Sequence, residues 1–205
     1  MDISSHDRTA SQLFKLILNK GPLALYAANT ESDIPIGTIH RHFKEMADTE
    51  KIKIYDHGKS GRKKISYGPT LYGFIYFYRI DKDIEKKLEN YFDLWVGKKQ
   101  FLSELKDAGF DEKKIISDSK TSKKNFRKYV HYYAGVEEQL IYFSKNINEL
   151  PRDIRMFLGE FLVVTKGDDK KLWEELYLSL PGFRENVKDF FEGMIRFYSE
   201  LKKKR

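Results

Sequence analysis

IPIGTIHRHFKEM at residues 34–46, followed by IKIYDHGKSGRKKISYGP at 52–69, fixes the architecture of the amino-terminal part of the chain. In the first stretch Ile36, Ile39, Phe43 and Met46 recur at three- and four-residue steps, the spacing of one helical face, and Pro35 suits a first helical turn. In the second, 52–55 and 63–67 carry the β-branched and aromatic residues of strands, separated by HGKSG with its two glycines. The pattern predicts a helix followed by a β-hairpin with a basic tip. Upstream, Leu13, Leu16 and Ile17 mark one helical segment, and 23–28 form a second after the break at Gly21 and Pro22. Downstream, Gly68 and Pro69 punctuate the chain before LYGFIYFY at 71–78, a fourth apolar segment expected to pack beneath the other three. The predicted order is three helices, a strand, a turn, a strand and a helix.

From residue 81 onward the chain reads as helical throughout. Asp81 or Asp83 can cap a helix reaching Trp95, and a shorter helix over 98–106 ends at Ala108 and Gly109. The longest candidate covers 122–147, with Phe126, Val130, Tyr133, Leu140 and Ile147 along one stripe. Pro151 opens another helix, and Asp168 or Asp169 caps one through Trp173 and Leu176. The last helix runs from Pro181 with Phe183, Val187, Phe190, Met194, Phe197 and Leu201 in register. The expected class is mainly α: a unit at 1–80 containing the hairpin, then an all-α unit at 81–205. The stripes of the longest and last helices exceed what the shorter helices can cover, so a homodimer through the C-terminal helices is expected.

Composition narrows the possible functions. Forty per cent hydrophobic residues, with 15 Phe, 13 Tyr and 2 Trp in 205 positions, exclude a wholly disordered chain. The absence of cysteine excludes disulfides, thiolate zinc sites, iron–sulfur clusters and thiol catalysis. No apolar run approaches the roughly 20 residues that cross a bilayer, and the first residues lack a secretion signal, so no membrane association and a cytoplasmic location are expected. The formal charge of +7 is diffuse, but 1–80 holds 12 basic and 8 acidic residues, making it the more basic part per residue.

GPLALYAAN at 21–29, then IPIGTIHRHFKEM, a hairpin with GKSGRKK at its turn, and YGPTLYGF at 67–74 resemble an archaeal-type winged helix-turn-helix transcription regulator. The resemblance covers roughly residues 8–79 and nothing beyond 81. It implies that the third helix enters the major groove of double-stranded DNA and that the hairpin wing meets the backbone or minor groove.

The residues themselves agree with that implication. With Ile36, Ile39, Phe43 and Met46 inward, Thr38, Arg41, His42 and Glu45 are expected to face outward. Arg41 can grip guanine O6 and N7, Thr38 a phosphate or thymine methyl, and His42 a base edge or phosphate, while Lys44 suits a phosphate. In the turn, Lys59, Arg62, Lys63 and Lys64 stand together without an acid, around Gly58 and Gly61, which let the backbone approach DNA. Lys63 and Lys64 face opposite sides of a strand, so only one of them points at a given surface.

Other constellations carry less. His40 and His42 lie about 200° apart on a helix and cannot share a metal as an i, i+4 pair would. Lys120, Lys123, Lys124, Arg127 and Lys128 form either a solvated helix end or an extension of a DNA footprint. Glu112 and Lys114 have a spacing used by some nucleases but sit in a polar, helix-like context. No catalytic, cofactor or metal site is predicted, and the expected function is sequence-specific DNA binding by a transcription regulator that is not an enzyme. The alternative is a protein-binding adaptor whose basic wing meets an acidic partner.

Overall fold

The computed structural model describes residues 4–56, 65–143 and 170–203. Three helices open the chain: α1 (Ser5–Lys20), α2 (Leu25–Thr30) and α3 (Ile36–Asp48). An antiparallel hairpin follows, β1 (Ile52–Asp56) and β2 (Ile65–Pro69), with Ile52 opposite Pro69 and Asp56 opposite Ile65. The described remainder is helical: α4 (Leu71–Ile80), α5 (Lys82–Trp95), α6 (Lys99–Asp107), α7 (Glu112–Ser117), α8 (Ser119–Phe143), α9 (Lys170–Ser179) and α10 (Pro181–Lys203). The chain is mainly helical with one small hairpin after its first helices, as its periodicity predicts. The helix expected from Pro151 and the caps at Asp168 and Asp169 lie outside the described residues.

Local chemistry sets the helix ends. Ser4 caps α1, its hydroxyl accepting from the Asp7 amide at 3.0 Å; Thr70 caps α4 by accepting from Gly73 at 2.9 Å. Asp81 caps α5 and Asp111 caps α7 in the same manner. A feature that periodicity does not reveal is the exchange of both backbone hydrogen bonds between Leu23 and Tyr67, each 2.9 Å, which ties the α1–α2 connection to the edge of β2.

Helix α4 lies at the centre. Its Leu71, Tyr72, Phe74, Ile75, Phe77 and Tyr78 are all buried, the mark of a helix that is apolar all round and enclosed by others. Phe74 meets the rings of Phe14 from α1, Tyr91 from α5, Phe101 from α6 and Phe126 from α8, at centroid distances of 5.5 to 6.5 Å. Phe77 stacks on Phe14 at 4.4 Å. Full burial of such a ring stabilises by about 1.5–3 kcal/mol. At Gly73 a Cβ would stand 2.1 Å from the Lys51 carbonyl oxygen, so glycine there permits the backbone just before β1 to approach α4.

One hydrophobic core therefore runs through residues on both sides of position 81. The Trp95 indole donates to the Leu18 carbonyl at 3.1 Å, the Leu71 amide donates to the Glu104 carboxylate at 2.6 Å, and Lys53 pairs with Glu104. Farther on, Gly109 takes φ +96° and abuts Gly182, where a Cβ on either residue would meet the other's backbone. That contact seats the start of α10 against the α6–α7 turn.

At the junction of α4 and α5, Asp81 accepts from the Ser11 hydroxyl, from Lys15 at 3.0 Å and from the Asp83 amide at 2.9 Å. Burial pushes the Asp81 carboxyl upward, but these donors outweigh it and hold the group below its usual range. Burial likewise opposes the charge on Lys15, and Asp81 and Asp83 reverse that, raising it. A depressed carboxylate contributes stability that is present above its unfolded pKa and lost as pH falls through the folded value; a raised lysine contributes below its own and is lost only under strong alkali. Asp81→Asn should lower stability at pH 7 by roughly 1–2 kcal/mol and shrink its loss on acidification. Thermal unfolding of both proteins between pH 7 and pH 3 measures this, and parallel curves would remove Asp81 from the acid response.

Candidate nucleic-acid interface

Helix α3 has two chemically distinct faces. Ile39, His42, Phe43 and Met46 are buried, and Phe43 packs edge-on to Tyr67 of β2 at 4.8 Å. Opposite them Gly37, His40, Arg41, Lys44 and Asp48 are exposed, with Thr38 half-buried at the margin. At about 100° per residue, the exposed set falls within an arc centred opposite the buried one. Residues 31–35 turn the chain from α2 into α3, with the Asn29 amide donating to the Ile34 carbonyl at 3.0 Å.

Two assignments made from spacing are corrected. His42 is only 2% exposed and does not belong to the outward face. It lies about 60° around the axis from Ile39 and 40° from Met46, on the flank that α1 covers. Ile36, expected to be buried, is 40% exposed, because α3 begins beyond the reach of the core. The outward histidine is His40. Of the other expected contacts, Arg41 is exposed, and Lys44 is exposed and paired with Asp48 at 3.1 Å one turn on. Lys59, Arg62, Lys63 and Lys64 lie outside the described residues.

Glu45 does not pair with its helix neighbours Lys44 or Arg41; it contacts the His6 Nε2 at 2.9 Å, across from α1. The His6 and His42 rings stack at 4.5 Å with 28° between their planes. Burial, with the charges of His6 and Arg41 nearby, holds the His42 imidazole below its ordinary pKa despite Glu45, which favours the neutral ring at pH 7. His6 stands 36 positions before His42, and no periodicity links them.

The basic cluster at the start of α8 is largely engaged by acids. Lys123 meets Asp93 at 2.6 Å, Arg127 meets Glu89 at 3.5 Å, and Lys128 meets Glu175 at 2.5 Å. These cations join α8 to α5 and α9, so they answer to neighbouring helices first. His131 accepts or donates a 3.1 Å hydrogen bond with the Tyr78 hydroxyl, a packing role. Glu112 pairs with Lys106 at 2.7 Å on the short helix α7, consistent with the polar helical context read from sequence. Beside the hairpin, a cleft of about 760 Å³ is lined by Asp48, Lys53, Ile54, Leu71, Glu104 and Tyr129 among others.

No protein-family model matches this chain, and no curated protein or solved structure shows significant similarity to it. None of the described helices is long and apolar enough to cross a membrane.

The two faces of α3 predict opposite responses to truncation. Phe43→Ala should cost roughly 3–5 kcal/mol of stability, since its ring is fully buried. Arg41→Ala and His40→Ala should each stay within about 0.5 kcal/mol of the parent. Denaturant unfolding of the three variants reads these values, and a large loss in Arg41→Ala would mean the helix faces are reversed.

Proposed function

We propose that the protein binds duplex DNA sequence-specifically through a winged helix-turn-helix formed by α1 to α3 and the hairpin, and acts as a homodimeric transcription regulator. The observation that carries the reading is the exposed stripe of α3, where Arg41, Lys44 and His40 project opposite a face buried on the hairpin. A helix about 20 Å long, held rigidly by its apolar side, is the kind of element a major groove admits. Arg41 supplies a bidentate donor for guanine, Thr38 at the margin a hydroxyl for phosphate, and Lys44 a mobile cation once it leaves Asp48. Lys59, Arg62, Lys63 and Lys64 lie in the sequence between the residues of β1 and those of β2, and their charges supply sequence-independent phosphate attraction. His42 drops out of the contact set; His40 takes its place.

Dimerisation belongs to the same reading. One module of this size reads only a few base pairs, and a two-fold pair multiplies both base and phosphate contacts. Leu178 on α9 and Ile195 on α10 are 75% and 65% exposed, and Phe191 stands one turn from Ile195. These side chains suit a partner's apolar surface better than water.

Selection from random duplexes should recover a preferred site. On that site Arg41→Ala should cost about 1–3 kcal/mol and relax preference at one base pair. Replacing Arg62 and Lys63 together by Ala should weaken binding to every duplex and flatten the slope of log affinity against log salt by about 0.9 per lost phosphate contact. Failure to enrich any sequence, with no salt-dependent duplex binding, would overturn the DNA reading. For assembly, light scattering at micromolar concentration should give the mass of two chains, and Ile195→Glu should shift it toward one. A parent that stays monomeric with and without DNA would remove the dimer.

A further inference from the structure

We propose that His6, His42 and Glu45 bind a divalent transition-metal ion of the zinc or nickel class through two imidazole nitrogens and one carboxylate oxygen. The candidate ligand atoms of the three side chains all lie within 4.8 Å of one another. Two come from α3, where His42 and Glu45 are one turn apart, and the third from the first turn of α1. Around a tetrahedral ion at ligand distances of about 2.1 Å, neighbouring donor atoms stand roughly 3.4 Å apart. Closing the set requires rotation of His6 and Glu45 only, and both side chains are more than 40% exposed.

The second observation is His42 itself. Its ring is buried, and its Nδ1 has no hydrogen-bond partner, an arrangement that costs about 1–3 kcal/mol unless something repays it. A buried imidazole with an unpartnered ring nitrogen, held close to a second imidazole and a carboxylate, is a prepared metal ligand. A cavity of about 270 Å³ opens at the cluster, bordered by Ser4, Asp7, Lys51 and Tyr76, with room for water to complete the coordination shell. Two imidazoles and one carboxylate select borderline ions over magnesium or calcium, which take oxygen ligands. Bound there, an ion would replace the His6–Glu45 contact and clamp the start of α1 onto α3. The inference stands apart from the DNA reading, because its measurement is metal uptake by the protein alone.

Titration of the full chain with zinc chloride, followed by calorimetry, should show one ion per chain. Cobalt(II) substituted for zinc should give visible absorption bands of a low-symmetry nitrogen and oxygen site. His6→Ala and Glu45→Gln change exposed side chains, so both variants should fold; each should lower zinc affinity at least about tenfold, the scale on which even outer-shell partners act. His131→Ala should bind zinc as the parent does. Zinc should also raise the unfolding temperature of the parent and not that of Glu45→Gln. Absence of stoichiometric uptake, or His6→Ala and Glu45→Gln binding as tightly as the parent, would overturn the site and leave the cluster a plain His–Glu ion pair.

Discussion

The interdigitation of Phe74 with rings from four other helices is the constraint on which the remaining packing depends. Because α4 is enclosed, each element that touches it is fixed relative to the others: α1 through Phe14, α5 through Tyr91, α6 through Phe101 and α8 through Phe126. Interiors packed at crystal-like density transmit displacement poorly tolerated by any one partner. The orientation of α3 is thus tied, through the hairpin and α4, to helices far along the chain. Polar contacts across position 81 reinforce the same geometry, from Ser11 to Asp81 and from Lys53 to Glu104.

How much of this was legible follows from the range of each signal. The order of helices and strands through residue 80 and the cap at Asp81 rest on local periodicity and local hydrogen bonding, which sequence displays. The burial of α4 all round is likewise visible in LYGFIYFY. What spacing misjudged lies at the edges of helical faces. His42 sits where a polar residue on the boundary goes in or out according to what covers it, and α1 covers it. Ile36 is apolar by type, but the first turn of α3 overhangs the core. The Leu23–Tyr67 bridge, the Glu104 contacts and the His6–Glu45 pair join residues dozens of positions apart and leave no periodic trace.

Charge tells a similar story at a larger scale. A run of cations in sequence reads as an available basic surface, yet three of the five at the start of α8 meet carboxylates supplied by α5 and α9. The side chains still open on α3 belong to a shorter, less conspicuous set. A net charge of +7 therefore says less about a binding surface than the list of which cations keep their counter-charges within the fold.

The two tryptophans occupy contrasting settings, and that contrast makes the molecule its own optical gauge. Trp95 is fully enclosed, its indole nitrogen engaged by the Leu18 carbonyl and its ring beside Tyr55. Trp173 is half-buried and stacked on Tyr177 at 5.2 Å. Emission from the first comes from a dry environment at the junction of the early helices with α5, and emission from the second from a wetter one where α9 meets α10. Loosening at either end of the chain changes a different part of the same fluorescence band, so local events at the two ends can be told apart without attaching any label.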